Sequence, residues 1–312
     1  MKINCPNPKC VLTLKLGPRS LQVVRNGRFF RKSDSRWISR FHCRICGCYF
    51  SAATFSERYY QKARRINEPL FRMICSGVSQ RRAARLLQVD RKTVVRRFRF
   101  LADQARFKHS KWREQYKRKP LNAIQFDDLE TAEHTKCKPL SVTLAVEPNH
   151  RKILHFEVSR MPAKGLLAHV ARRKYGRRKD ERPRAWSQFM HTLKPFLTEK
   201  ATLTSDDNPH YPKYVKKHLP SAKHVTVKGG RGAISGQGEL KKLRFDPIFS
   251  LNHSCAMLRA NLSRLFRRTW CITKTVQGLE DHLSIYVLYH NFVLTPSSSA
   301  SLGASLSAEN SA

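Results

Sequence analysis

The chain has 312 residues, enough for two or three domains and a sizeable core. Lysine and arginine number 61 against 22 acids, a formal charge of +39 spread along the whole length, with a pI near 10.6. A field of that sign attracts nucleic acid or an anionic membrane. No run of about 18 apolar residues exists to span a bilayer, and Met1-Lys2-Ile3-Asn4-Cys5-Pro6 lacks the apolar core of a signal peptide. Nucleic acid is therefore the expected partner, with no membrane. Nine cysteines is an odd number, and four of them form tight pairs, which favours metal over disulfides.

The first pairs are Cys5-x4-Cys10 and Cys43-x2-Cys46, with short strands expected around Leu12–Leu16, Gly27–Arg31 and Trp37–His42. Two such knuckles can close a tetrahedral site of four thiolates around Zn2+. Gly47 suits the sharp turn of the second knuckle. Phe29, Phe30, Trp37, Phe41, Tyr49 and Phe50 form a mini-core too small to fold without metal. Cys48 is a spare that competes with Cys46 as ligand. Residues 1–58 thus read as a structural zinc ribbon.

From Ile66 to about Ala105 the apolar period becomes helical. Ser79 caps a helix through Leu87, and Asp90 caps a second one over Arg91–Leu101. Ala83 and Ala84 supply small residues where two helices cross. The pair reads as a helix-turn-helix that offers Arg91, Lys92, Thr93, Arg96 and Arg97 to a major groove. Lys108–Lys119 follows as a basic linker that tracks phosphates, and closes a second domain over residues 59–119.

The third segment, residues 120–294, opens on Asn122–Glu130. Its alternation (Ala123, Ile124, Phe126) is that of a strand, and it runs into Asp127 and Asp128 at the strand end. In so basic a chain, acids placed there suit a divalent metal beside a phosphate. Strands are expected at Leu140–Glu147 and Lys152–Ser159, joined by a turn at Pro148-Asn149-His150. Three such strands match the opening of an RNase H-like fold, so the fold class is α/β, with that core preceded by a small ribbon and an all-α domain. Helix follows over Pro162–Leu197, broken by a basic loop at Arg172–Arg184. Ala201–Thr204 is a short strand ending at the second acid pair, Asp206 and Asp207. A helix over Pro209–His218, a strand at His224–Lys228, a Gly-rich break at Gly229–Gly238, and helices over Pro247–Arg268 and Val276–Phe292 complete the segment. The remainder, residues 295–312, is Ser/Ala-rich and expected to be disordered.

Phe126-Asp127-Asp128, Ser205-Asp206 with Tyr211 five positions on, and the run Leu258-Arg259-Ala260-Asn261-Leu262-Ser263-Arg264-Leu265-Phe266-Arg267-Arg268-Thr269 carry a family resemblance. Over about residues 1–293 the chain resembles a DDE-type bacterial insertion-sequence transposase of the group with an N-terminal zinc ribbon and helix-turn-helix. The resemblance implies that Asp127 and Asp206 are the first two ligands of catalytic Mg2+ (or Mn2+), with Asp128 and Asp207 in support. It places Arg259, Arg264, Arg267 and Arg268 on an arginine-rich helix just after the third ligand, the last three against DNA. It implies a cytoplasmic, nucleoid-associated enzyme, with double-stranded DNA (transposon ends and target) as partner and a homo-oligomer pairing two ends.

The family's third ligand is a Glu seven residues before the arginine matched by Arg259; here that place holds Asn252, followed by His253. An Asn carbonyl can bind Mg2+ but supplies no charge. Some relatives of this broad group carry Asn there. Glu239, after the Gly-rich break, ranks second, and Asp246, placed to cap the helix that starts at Pro247, ranks third. The expected activity is cleavage at terminal inverted repeats followed by strand transfer. The alternative is a non-catalytic or decayed zinc-ribbon/helix-turn-helix DNA-binding protein, and a nuclease or RNA-processing enzyme on the same core is a third possibility. Cys75, Cys137, Cys255 and Cys271 read as small buried residues. His134, His150, His155, His210 and His224 show no metal spacing, and Trp186 and Trp270 read as packing.

Overall fold

The protein is described by a computed structural model that covers residues 3–10, 22–33, 35–228, 246–266 and 270–295. The expected strand at Leu12–Leu16, the Gly-rich break with Glu239, the pair Arg267 and Arg268, and the tail from Pro296 on lie outside the described residues. The chain divides into two compact units, Met1–Pro69 and Leu70–Ala312.

The first unit is built on an antiparallel sheet of β1 (Val23–Arg31), β2 (Arg36–Cys43) and β3 (Tyr49–Ser51). A bulge between Arg25 and Arg28 shifts the β1–β2 register. Its core is small: Cys5, Cys10, Phe41, Cys43 and Phe50. Only two of those side chains are large apolar groups, so apolar burial alone stabilises this unit little.

Three helices come next in the chain, α1 (Asn67–Ile74), α2 (Gln80–Leu86) and α3 (Arg91–Arg113). Ser79 Oγ accepts from the Arg82 amide at 3.4 Å, and Asp90 Oδ1 accepts from the Lys92 amide at 2.6 Å. These two caps start α2 and α3 where the sequence places them. Gln88, with φ 51°, makes the left-handed turn between them. Ala83 and Ala84 are buried with Val94 and Phe98 in one cluster.

The basic segment after Leu101 is not a linker. α3 runs for 23 residues, to Arg113, and a short helix α4 (Gln115–Arg118) follows it. The reason is an apolar stripe hidden among the cations: Phe98, Leu101, Ala102, Ala105 and His109 are all buried. His109 Nε2 lies 3.1 Å from the Ile153 carbonyl, and Trp112 stacks on the His109 ring.

A five-stranded mixed sheet forms the centre of the second unit. In chain order come β4 (Leu121–Ala132), β5 (Pro139–Glu147), β6 (Lys152–Arg160), α5 (Leu167–Tyr175), α6 (Arg182–Leu193), β7 (Leu197–Asp206), α7 (Tyr211–His218), β8 (Lys223–Val227), α8 (Phe249–Asn261) and α9 (Val276–Tyr289). The spatial order is β6-β5-β4-β7-β8. β4, β5 and β6 form an antiparallel meander, while β4, β7 and β8 run parallel. Successive strand residues point to opposite faces, so each face has its own core. Leu129, Val142, Leu144 and Ile153 pack with residues of α1–α3, α8 and α9, whereas Ile124, Phe126, Ala145 and Leu154 pack with α6 and α7. The unit is thus mixed α/β, a sheet covered by helices on both sides.

Candidate metal and nucleic-acid sites

The thiols of Cys5, Cys10, Cys43 and Cys46 all lie within 4.8 Å of one another. Cys5 and Cys46 Sγ are 3.5 Å apart, and Cys10 and Cys43 Sγ 3.8 Å. Two thiolates bound tetrahedrally to one zinc ion sit about 3.8 Å apart, so the four sulfurs already have the spacing of a ligand shell. Local turns set it. The Cys10 amide donates to the Asn7 carbonyl, and the Gly47 amide to the Cys43 carbonyl, with Gly47 at φ +70°. A backbone hydrogen bond from Cys48 draws the Cys46 thiol down to about 6, while burial pushes Cys5 the other way. The tetrad could bind a metal such as zinc. Cys48 is not in it; its Sγ lies 3.8 Å from the Tyr49 carbonyl.

Asp127 and Asp206 come together in the second unit. In the parallel register Phe126 pairs with Ser205, the last pair between β4 and β7, so the two carboxylates stand one step beyond it on neighbouring strands. Each carboxylate is felt by the other. Asp127 is not at a strand end: β4 continues to Ala132, paired with β5 through Asp127↔Leu144 and on to Ala132↔Pro139. What ends at Phe126 is the pairing on its other edge, and that opening is where the carboxylates meet.

Asp127 is pushed up to about 7, first by burial and then by the charge of Asp206. Burial also raises Asp206. Two things counter this at Asp127. Its Oδ1 accepts from the Asp128 amide at 2.6 Å and from the Tyr211 hydroxyl at 3.2 Å. Like charges held together and desolvated favour either a shared proton or a bound cation.

Asp128 does not join them. Strand alternation turns it to the other face, where Thr143 Oγ1 donates to its Oδ1 at 2.5 Å and Trp186 Nε1 donates to its Oδ2 at 3.0 Å. Trp186, read as packing, is buried and also holds this bond. Asp207 is exposed.

Helix α8 docks over β4 through Gln125, which donates to the Pro247 carbonyl at 2.9 Å and accepts from the Leu251 amide at 3.0 Å. Gln125 and Asp127 share a strand face, so the start of α8 lies beside the acid pair. The charge of Asp127 adds to the burial that pushes the Cys255 thiol up to about 12, and Arg259 opposes it. Asn252, Cys255 and Arg259 share one helical face at i, i+3 and i+7. Asn252 Nδ2 donates to Asp246 Oδ2 at 2.9 Å. Asp246 meanwhile accepts from the Ile248 amide, holding the helix start. His253 packs against Phe249 instead. Among the described residues no third His, Cys, Asp or Glu stands within ligating reach of Asp127 and Asp206.

The arginine-rich segment differs from expectation. α8 ends at Asn261, and a 3-10 turn over Ser263–Leu265 follows. Arg264 is turned inward: its guanidinium lies over the Phe98 ring at 5.5 Å and donates to Thr273 Oγ1 at 3.4 Å. Burial is the main cause that lowers its pKa. Trp270, expected to pack, is 98% exposed. On α3, Arg91, Lys92 and Arg96 are exposed, while Thr93 and Arg97 are half-buried. Arg81, Arg85 and Arg91 line an open groove of about 580 Å³ at the α2–α3 turn.

The residue that the sequence left unassigned but the site uses is Gln125, whose signal was a lone amide among apolar strand positions. Among the described residues no helix is long and apolar enough to cross a membrane. No protein-family model matches the chain, and no curated protein matches it either.

Proposed function

We propose that the chain is a DNA transposase of the DDE type with an RNase H-like core, binding the terminal inverted repeats of its own element. One observation carries the reading: Asp127 and Asp206, 79 residues apart in sequence, meet where the pairing of β4 with β7 ends, in an otherwise strongly basic chain. The strand order β6-β5-β4-β7-β8, with the first acid on the central strand, supports the RNase H-like comparison.

In this reading Asp127 and Asp206 hold Mg2+ or Mn2+, and the half-buried like-charged pair fits such a cation. When bound, the ion supplies positive charge for phosphoryl transfer and lowers the cost of generating the nucleophile. Tyr211 orients Asp127. Asn252 offers its carbonyl oxygen from α8, since its amide nitrogen is engaged by Asp246. Arg91, Lys92 and Arg96 contact DNA from α3, and the cysteine tetrad holds zinc in a ribbon.

A second reading, a DNA-binding protein without catalysis, is favoured by the absence of a third carboxylate beside the pair among the described residues. Plasmid cleavage with Mg2+ or Mn2+, on DNA bearing the flanking repeats, separates them. Cleavage lost in Asp127→Asn supports the enzyme; sequence-specific binding with no cleavage supports the regulator. Within the enzyme reading, loss of strand transfer in Glu239→Gln but not in Asn252→Ala would show that Glu239 is the third ligand.

A further inference from the structure

The basic run after α5 folds into a cleft. Residues of this run face the β4–β5 hairpin and enclose about 830 Å³. Lys138 enters from the hairpin, Arg172 from α5, and Arg177 and Lys179 from the run. None of these four has a carboxylate partner among the described residues. The two other charges of the lining are paired already: Arg178 donates to Glu133 at 3.0 Å, and Asp180 accepts from Arg182 at 2.6 Å. The cleft therefore offers positive charge and no uncommitted carboxylate.

Its shape is held by two local features. Lys138 Nζ sits over the Tyr175 ring at 4.5 Å, which fixes one cation. Gly176 has φ 76° and ψ −174°, a backbone region essentially restricted to glycine. That turn reverses the chain after α5, so that Arg172 and Arg177 line the same space. The Gly176 amide is spent on the Arg172 carbonyl at 2.9 Å. The cations are spread along the walls. This suits an extended polyanion.

We propose that this cleft binds the phosphate backbone of double-stranded DNA, at a place separate from the α2–α3 groove and from the Asp127–Asp206 pair. β4 links the two regions: Ala132, at the hairpin end, is five residues beyond Asp127, about 17 Å along the strand. A duplex lying along β4 would reach both. The proposal rests on the reading of the chain as a DNA-acting protein, but its readout is equilibrium binding and not cleavage.

The test uses the full chain and a labelled duplex, with affinity measured across a salt series. Arg172→Gln with Arg177→Gln should weaken binding by at least about tenfold at 0.1 M salt. The salt slope should fall by roughly 2, close to 0.9 for each phosphate that is no longer neutralised. Lys194→Gln with Lys200→Gln removes the same charge from exposed positions outside the cleft and should change the slope less. Gly176→Ala leaves the charge unchanged and should weaken binding by disturbing the turn. All the changes are at exposed positions, and thermal melts check that each variant folds. If the cleft and control pairs lose affinity equally and Gly176→Ala has no effect, the cleft is only part of a diffuse field and the proposal fails. If those results come with normal DNA cleavage, the catalytic reading stands without the cleft. If the full chain binds no duplex even at low salt, both readings fail.

Discussion

Tyr211 reaches from one core of the second unit to an acid facing the other: its ring packs against Phe126 and its hydroxyl donates to Asp127 Oδ1 at 3.2 Å. The bond favours the ionised carboxylate, against burial and the charge of Asp206. Tyr211→Phe keeps the buried ring and removes only that bond. Divalent-ion affinity should fall several-fold and the pH dependence of cleavage should move to higher pH, with little change in the melting temperature. An unchanged pH profile would show that Tyr211 only packs.

The same pair predicts a trade of stability for binding. The folded state holds Asp127 at about 7, above the ordinary carboxylate value of about 3.9. Between those values the folded chain binds more protons than the unfolded one, so this group lowers stability as pH rises through that window. Asp127→Asn should therefore stabilise metal-free protein at pH 8, by at most about 4 kcal/mol, and raise its melting temperature. Mg2+ should raise that of the unaltered chain and leave the variant unmoved. Calorimetry with and without the ion reads both effects.

Three buried histidines predict acid sensitivity. His109, His282 and His290 each point Nε2 at a backbone carbonyl, of Ile153, Ile74 and Arg151. Burial lowers them to about 3, about 3 and about 4. Their stabilising contribution is complete above the ordinary value near 6.5 and is lost as pH falls towards the folded values. Each should cost roughly 1.5 kcal/mol between pH 6.5 and 5, so the melting temperature should drop steadily over that range. A flat profile would mean that these rings are charged or exposed in solution.

Asp128 predicts the opposite kind of variant from Asp127. Asp128→Ala leaves Trp186 Nε1 and Thr143 Oγ1 without their acceptor inside the protein, which costs about 1–3 kcal/mol for each stranded group. Stability should fall while divalent-ion affinity stays. If ion affinity is lost instead, the assignment of Asp128 to the other face is wrong.

For the first unit, one zinc per chain is expected by elemental analysis. Cys10→Ser should abolish it and unfold β1–β3, whereas Cys48→Ser should keep it. Zinc retained in Cys10→Ser would place the ligands elsewhere.

The cysteine knuckles, the caps at Ser79 and Asp90, and the strand leading into Asp127 were legible in the sequence, because each depends on residues a few positions apart. α3 was read short because its apolar stripe is diluted by cations whose stems cover the same surface. The acid at a strand end was misread because pairing with β5 carries β4 past Asp127, and no local pattern reports a partner strand. Arg264 was read for its charge alone, and its packing on Phe98 was not legible, because sequence gives charge without direction.

The amino-acid order alone thus determined the composition of the sites: which thiols, which two acids, and how much positive charge. The tertiary structure decided their geometry. Only the parallel register of β4 and β7 brings Asp127 beside Asp206, only strand alternation turns Asp128 away from them, and only the docking of Gln125 sets the start of α8 over β4. Those relationships arise from long-range pairing and packing, in which side chains far apart in the chain must satisfy each other at once, and short sequence windows carry no record of that.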